Sequence, residues 1–134
     1  MIKTVEEFIR LRNSEDEEEY LRAAHEEAPI EVWEKLISEH EDMKEWVAHN
    51  KKVPLSILEI LSNDPDPKVR YSVAVKRKLN RKLFEKLARD SDESVRMRIA
   101  LNPKTPKDII KILSNDERIR IRKAAEERLL EMNK

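Results

Sequence analysis

Three aspartates and three arginines recur in step along this chain. Asp64, Asp90 and Asp116 stand 26 residues apart, and so do Arg70, Arg96 and Arg122. A row of carboxylates could serve general acid–base chemistry, and a row of guanidinium groups could clasp phosphates. The copying argues for a plainer use. Catalysis needs a few unlike groups converging on one point, whereas a residue present in every copy of a motif belongs to the frame that joins the copies. An aspartate in a turn accepts from nearby amides, and an arginine one copy away can pair with it and hold the register.

Other residues with chemical potential are sparse. The chain has no cysteine, which excludes disulfides and thiolate catalysis, and no glycine, which removes phosphate-cradling glycine loops. His25, His40 and His49 lack metal-site spacing, and no HExxH-type pattern places two of them on one helical face. Neither a GxSxG elbow nor a Walker loop occurs. The reading is a protein that is not an enzyme and that uses no metal and no cofactor.

The elements that must carry these residues repeat with the same period. Val69, Val95 and Ile121 are 26 apart, as are Leu58, Phe84 and Ile110, then Leu61, Leu87 and Leu113. Periods of this length mark stacked repeats, in which each unit buries its apolar face on its neighbours. The fold class expected is therefore all-α, a right-handed α-solenoid of two-helix repeats, built as one domain over 1–134. Residues 1–27 would form N-terminal capping helices, 28–126 four repeats, and 117–134 a C-terminal capping helix. In each repeat a first helix opens near Pro54, Asn80 or Pro106, with proline at the first helical position. A turn then supplies Asp66 or Asp92 as the cap of a second, shorter helix. The first copy is degenerate and one residue short, since Pro29 lies 25 before Pro54, and its register makes Trp33 a core residue. Upstream, Thr4 with Glu7 and Ser14 with Glu17 have capping-box spacing. The second pair predicts a helix from about Glu15 to Glu27 that buries Tyr20, Leu21 and Ala24.

The segments HNKKVPLSILEILSNDPDPKVRYSVA and IALNPKTPKDIIKILSNDERIRIRKAA resemble the leucine-rich-repeat variant family and the wider HEAT-like repeats. The likeness runs from about Ala24 to Ala125. It implies two-helix units wound into a right-handed superhelix. Some members of that family hold a cysteine-ligated iron–sulfur cluster, which this cysteine-free chain lacks the ligands to bind. Small HEAT-like proteins also act as immunity or antitoxin proteins, which the resemblance makes an expectation here.

Charge narrows the partner. Residues 1–50 carry 6 basic and 15 acidic side chains, while the remaining 84 carry 22 and 13, so the net charge changes from −9 to +9 along the chain. An acidic first part would steer a basic partner, such as a toxin or nuclease. Helical phase supplies candidate contacts. If Val69 and Val73 point inward, a step of about 100° per residue sends Tyr71 and Ser72 outward. Shifts of 26 residues place Glu45, Trp46 and His49, then Met97 and Arg98, on the same face. Large exposed residues of this kind anchor protein interfaces. The alternative is a nucleic-acid binder, which would use Lys76, Arg77, Lys78, Arg81 and Lys82 on phosphates, though aromatics for the bases are few. No run of apolar residues approaches a membrane span, and MIKTVEEFIRLR has no apolar leader core, so the expected setting is the cytoplasm with no membrane partner. The sequence leaves the oligomeric state open.

Overall fold

The computed structural model describes residues 1–134 as ten α-helices and one short 3₁₀ turn, without strands. No helix is long and apolar enough to cross a membrane. The chain divides into two compact units, Met1–Asp64 and Pro65–Lys134.

The first unit contains α1 (Val5–Arg12), α2 (Glu17–His25), α3 (Ile30–Glu39), a 3₁₀ turn at Glu41–Met43, α4 (Lys44–His49) and α5 (Leu55–Leu61). Thr4 caps α1 by accepting from the Glu7 amide at 3.0 Å, and the Glu7 carboxylate reaches back to the Lys3 amide at 2.7 Å. That return bond lands one residue before the reciprocal position of a capping box. Helix α1 buries Val5, Phe8 and Leu11. Phe8 meets Trp33 edge to face, with centroids 5.4 Å apart and planes at 80°. Trp33 is fully buried, as its repeat phase required.

The second helix departs from expectation. Its cap is Asp16, which accepts from the Glu18 and Glu19 amides, and not Ser14. The Ser14 hydroxyl instead donates to Glu19 and accepts from the Asp16 amide, both at 3.0 Å. A carboxyl side chain at a helix N-terminus suits the helix dipole as well as the hydrogen bond, so Asp16 prevails. Ala23 is the buried residue of α2, while Tyr20 and Leu21 are 39% and 43% exposed. A methyl side chain lets α1 and α2 approach closely, and the larger residues are turned out.

The second unit contains α6 (Pro67–Ala74), α7 (Arg81–Ala88), α8 (Glu93–Leu101), α9 (Lys107–Leu113) and α10 (Ile119–Met132). Asp66, Asn80 and Asp92 cap α6, α7 and α8 by accepting from the Lys68, Leu83 and Ser94 amides at 2.8–2.9 Å. Pro67 occupies the first helical position of α6. Pro54 and Pro106 sit one residue earlier than expected, as extended caps whose carbonyls accept the first helical bonds. Placed there, proline's missing N–H leaves nothing unsatisfied. In the copies opened by Pro54 and Asn80 the second helix is not the shorter one: α6 has 8 residues to the 7 of α5, and α8 has 9 to the 8 of α7. The first helix of a pair is confined between its Pro or Asn cap and the next aspartate turn. Val69, Val73, Val95, Ile99, Ile121 and Ala125 all lie inside, each at most 3% exposed.

Candidate functional site

The repeated acids and bases are joined to one another. In the first unit Lys44 Nζ donates to Asp64 at 2.7 Å. In the second, Arg70 grips Asp90 through Nε and Nη2 at 2.9 and 3.1 Å, and Arg96 grips Asp116 at 2.8 and 3.4 Å. Every cation lies 20 residues before its carboxylate. Each arginine also donates through Nη1 to carbonyls of its own turn, as Arg96 does to Asp90 and Arg122 to Asp116, both at 2.8 Å. Hydrogen bonding to Asp64 raises the pKa of Lys44, and Asp116 does the same for Arg96. Burial pushes the Asp116 carboxyl up, but Arg96 and the Arg118 amide outweigh it and hold the group below its ordinary value. A carboxylate so held is ionised near neutral pH, which makes it a poor proton donor. Lys44 completes the series that the arginine spacing alone did not reveal, since 70 minus 26 is 44.

A second polar series escaped the sequence reading. Asn50, fully buried, donates to the Ala23 and Glu26 carbonyls at 2.8 and 2.9 Å. Asn102 does the same to Ala74 and Lys76 at 2.9 and 2.8 Å. Arg128 follows 26 residues later and donates to Ala100 and Asn102 at 2.7 and 3.1 Å. These side chains satisfy carbonyls left open at helix C-termini. The two asparagines are two periods apart, with Lys76 at the place between, so their kinship was hidden.

The basic cluster divides between the α6–α7 link, which holds Lys76, Arg77 and Lys78, and the first turn of α7, which holds Arg81 and Lys82. Arg77, Lys78 and Lys82 are exposed, and Lys76 is half-buried. Arg81 is committed to a bidentate pair with Asp108. No group of His, Cys, Asp or Glu is placed to hold a metal ion.

The outward helical positions separate into different environments. In the second unit Tyr71 is 41% exposed, and Met97 and Arg98 are half-buried, with Arg98 Nε lacking a hydrogen-bond partner. Ser72 is a correction: it is 3% exposed, and its hydroxyl donates to the Lys68 carbonyl at 3.1 Å. It lies next to the inward Val73, and its small side chain closes on its own helix without reaching solvent. In the first unit His49 is exposed, while Glu45 and Trp46 are half-buried.

Trp46 borders a half-open pocket in that unit. The pocket, about 230 Å³, is lined by Phe8, Arg12, Tyr20, Ala23, Ala24, Trp46 and His49. The Arg12 guanidinium carbon lies 3.3 Å from the Trp46 ring centroid and 4.9 Å from that of Tyr20. The His49 ring is 5.7 Å from Trp46 and tilted by 46°. Arg12 and Tyr20 were not recognised as site residues from sequence, because both precede the repeats and Arg12 meets a ring 34 positions later. A shallower groove of about 560 Å³ in the same unit sets Ile37 and Ile60 beside Glu31, Glu34 and Lys35, two acids to one base. Neither a protein-family model, nor a curated protein, nor a solved structure matches the chain.

Proposed function

We propose that the protein is a non-catalytic scaffold that binds another protein, built as a right-handed α-solenoid of repeats of about 26 residues related to the leucine-rich-repeat variant and HEAT-like families. The observation that carries this reading is a division of labour. Positions that recur, such as Arg70, Arg96, Asp90 and Asp116, are engaged with each other. Positions that change from copy to copy, Trp46, Tyr71, Met97 and Arg98 among them, hold the large outward side chains. A constant frame with a variable face is the pattern of a recognition surface.

The partner in this reading is basic. The first unit holds 8 basic and 17 acidic residues, net −9, and the second holds 20 and 11, net +9. The groove beside Glu31 and Glu34, with Ile60 52% exposed, suits a basic amphipathic segment. Neutralisation of a basic toxin or nuclease in the cytoplasm, as by an immunity or antitoxin protein, is the specific form proposed. Capture by the tagged protein from its source lysate, with and without nuclease treatment, tests it. A stoichiometric basic protein that survives nuclease supports the reading. The exposed Arg77, Lys78 and Lys82 favour a second reading, nucleic-acid binding, which predicts that captured material is lost on nuclease treatment.

A further inference from the structure

The first unit has three arginines, and two of them are paired with acids. Arg10 meets Glu19 at 2.5 Å, and Arg22 meets Glu26 at 2.5 Å and Glu7 at 3.5 Å. Arg12 has neither an ion pair nor a hydrogen bond, and its Nε is buried without an acceptor. Its contacts are with rings: one face lies on Trp46 and Tyr20 stands close by. The surrounding unit carries 17 carboxylates, so acids to pair with it were abundant. A guanidinium whose only task was to tie α1 to α4 would be better served by one of them, because a buried donor without an acceptor is destabilising. The remaining walls are Phe8, Ala23, Ala24 and His49, so Arg12 lies at the edge of a half-open, mostly apolar pocket.

We propose that this pocket binds a carboxylate carried on a small aromatic or apolar body. The two coplanar oxygens accept from the Arg12 guanidinium, and the body lies against the accessible walls, Tyr20, Ala24 and Trp46. The guanidinium fork matches a planar carboxylate, and its stacking on Trp46 holds it in place before the ligand arrives. Volume and charge both restrict the class. A cavity of about 230 Å³ holds one ring or one side chain, below the usual ~300–1,000 Å³ of drug-sized sites, and so excludes a nucleotide. The unit's net charge of −9 opposes anions in proportion to their charge, which favours a monoanionic carboxylate over a dianionic phosphate. The same chemistry is available from a free aromatic acid or from the C-terminal residue of a peptide. The site stands independently of the protein-partner reading.

Titration of the ¹⁵N-labelled full chain, followed at the tryptophan indole N–H resonances, tests it. The probes are benzoate with its neutral counterpart benzamide, and N-acetylphenylalanine with its amide. Benzoate should move the Trp46 resonance saturably and leave that of the buried Trp33 in place. Benzamide should bind at least ~10-fold more weakly, since it loses the charge-assisted bonds. Arg12→Lys, which keeps the charge but not the fork, should weaken benzoate by ~10-fold, and Arg12→Gln should abolish it. Either preference between benzoate and N-acetylphenylalanine supports the site and identifies its source, provided the amide is weaker. Equal effects of benzoate and benzamide on the wild-type chain would overturn the proposal, whatever the variants do to folding. So would unchanged benzoate affinity in Arg12→Lys, or no movement of Trp46 up to ~50 mM.

Discussion

Arg96 and Arg81 each form a two-pronged pair with an aspartate, and the two pairs differ sharply in burial. The Arg96 and Asp116 side chains are 10% and 7% exposed, whereas those of Arg81 and Asp108 are 57% and 55% exposed. Arg96→Met keeps most of the stem but strands the Asp116 carboxylate and frees the Asp90 carbonyl, which accepts at 2.8 Å. Removing one partner of a buried pair destabilises by roughly 3–5 kcal/mol. Asp116→Asn keeps the shape but loses the charge, and should cost about 2–3 kcal/mol. With the carbonyl bonds common to both corners of the cycle, the coupling between Arg96 and Asp116 should be about 2 kcal/mol. The corresponding cycle for Arg81 and Asp108 should give less than ~1 kcal/mol, and salt at about 1 M should erase it. Urea unfolding followed by circular dichroism, at each corner of both cycles, measures the two couplings. Equal couplings, or a buried value below ~0.5 kcal/mol, would refute the argument that the recurring pairs hold the repeats in register. The acid limb supplies a second reading of the same pair. Asp116 has its folded pKa below the ordinary 3.8, so its contribution is complete above that value and fades as pH falls through the lower folded one. Asp116→Asn should remove that part of the acid dependence.

Leu87→Ala should lose roughly 2–5 kcal/mol, because Leu87 is fully buried and leaves a cavity; a negligible change in urea midpoint would contradict its inward phase. Asn102→Ala should lose about 2–4 kcal/mol, since it strands the Ala74 and Lys76 carbonyls and the Lys104 amide. A loss under ~0.5 kcal/mol would deny the asparagine series a structural role. Glu26 is held down to about 2 by its hydrogen bond from Arg22, so carbon NMR should find its carboxyl ionised until strongly acid pH. Its contribution to stability is present above 4.5 and lost as pH falls towards 2, and Arg22→Gln should return the midpoint towards 4.5.

What the sequence made legible was whatever recurs. Burial of Val69, Val95 and Ile121 follows from phase, because an inward position must be apolar in every copy. Asp66 and Asp92 announced themselves as caps by residue type at a turn, and Trp33 could be placed inside by counting back one shortened copy. Legibility failed where two local signals competed or where a contact joined unlike positions. Ser14 was the expected cap of α2, but Asp16 two residues on takes that place, and Tyr20 and Leu21 lie outside. A phase argument treats residues as points at fixed angles, so it sent Ser72 outward, while the small side chain is covered and bonds to its own helix. Lys44 was hidden because lysine replaces arginine in its copy, and Asn50 and Asn102 because lysine stands between them. The Arg12 stack on Trp46 joins a residue before the repeats to one within them, so no periodicity could reveal it.

If a constant frame presents a variable binding face, calorimetric titration of the captured partner against the wild-type chain and Tyr71→Ala will separate the two. Tyr71 is the residue to change, since it is 41% exposed, whereas Trp46 is stacked on Arg12 and its loss would disturb the first unit. Tyr71→Ala should weaken binding by about 2 kcal/mol. The urea midpoint should stay within ~0.5 kcal/mol of the wild-type value. Unchanged affinity with an intact fold would contradict the assignment of that face to binding.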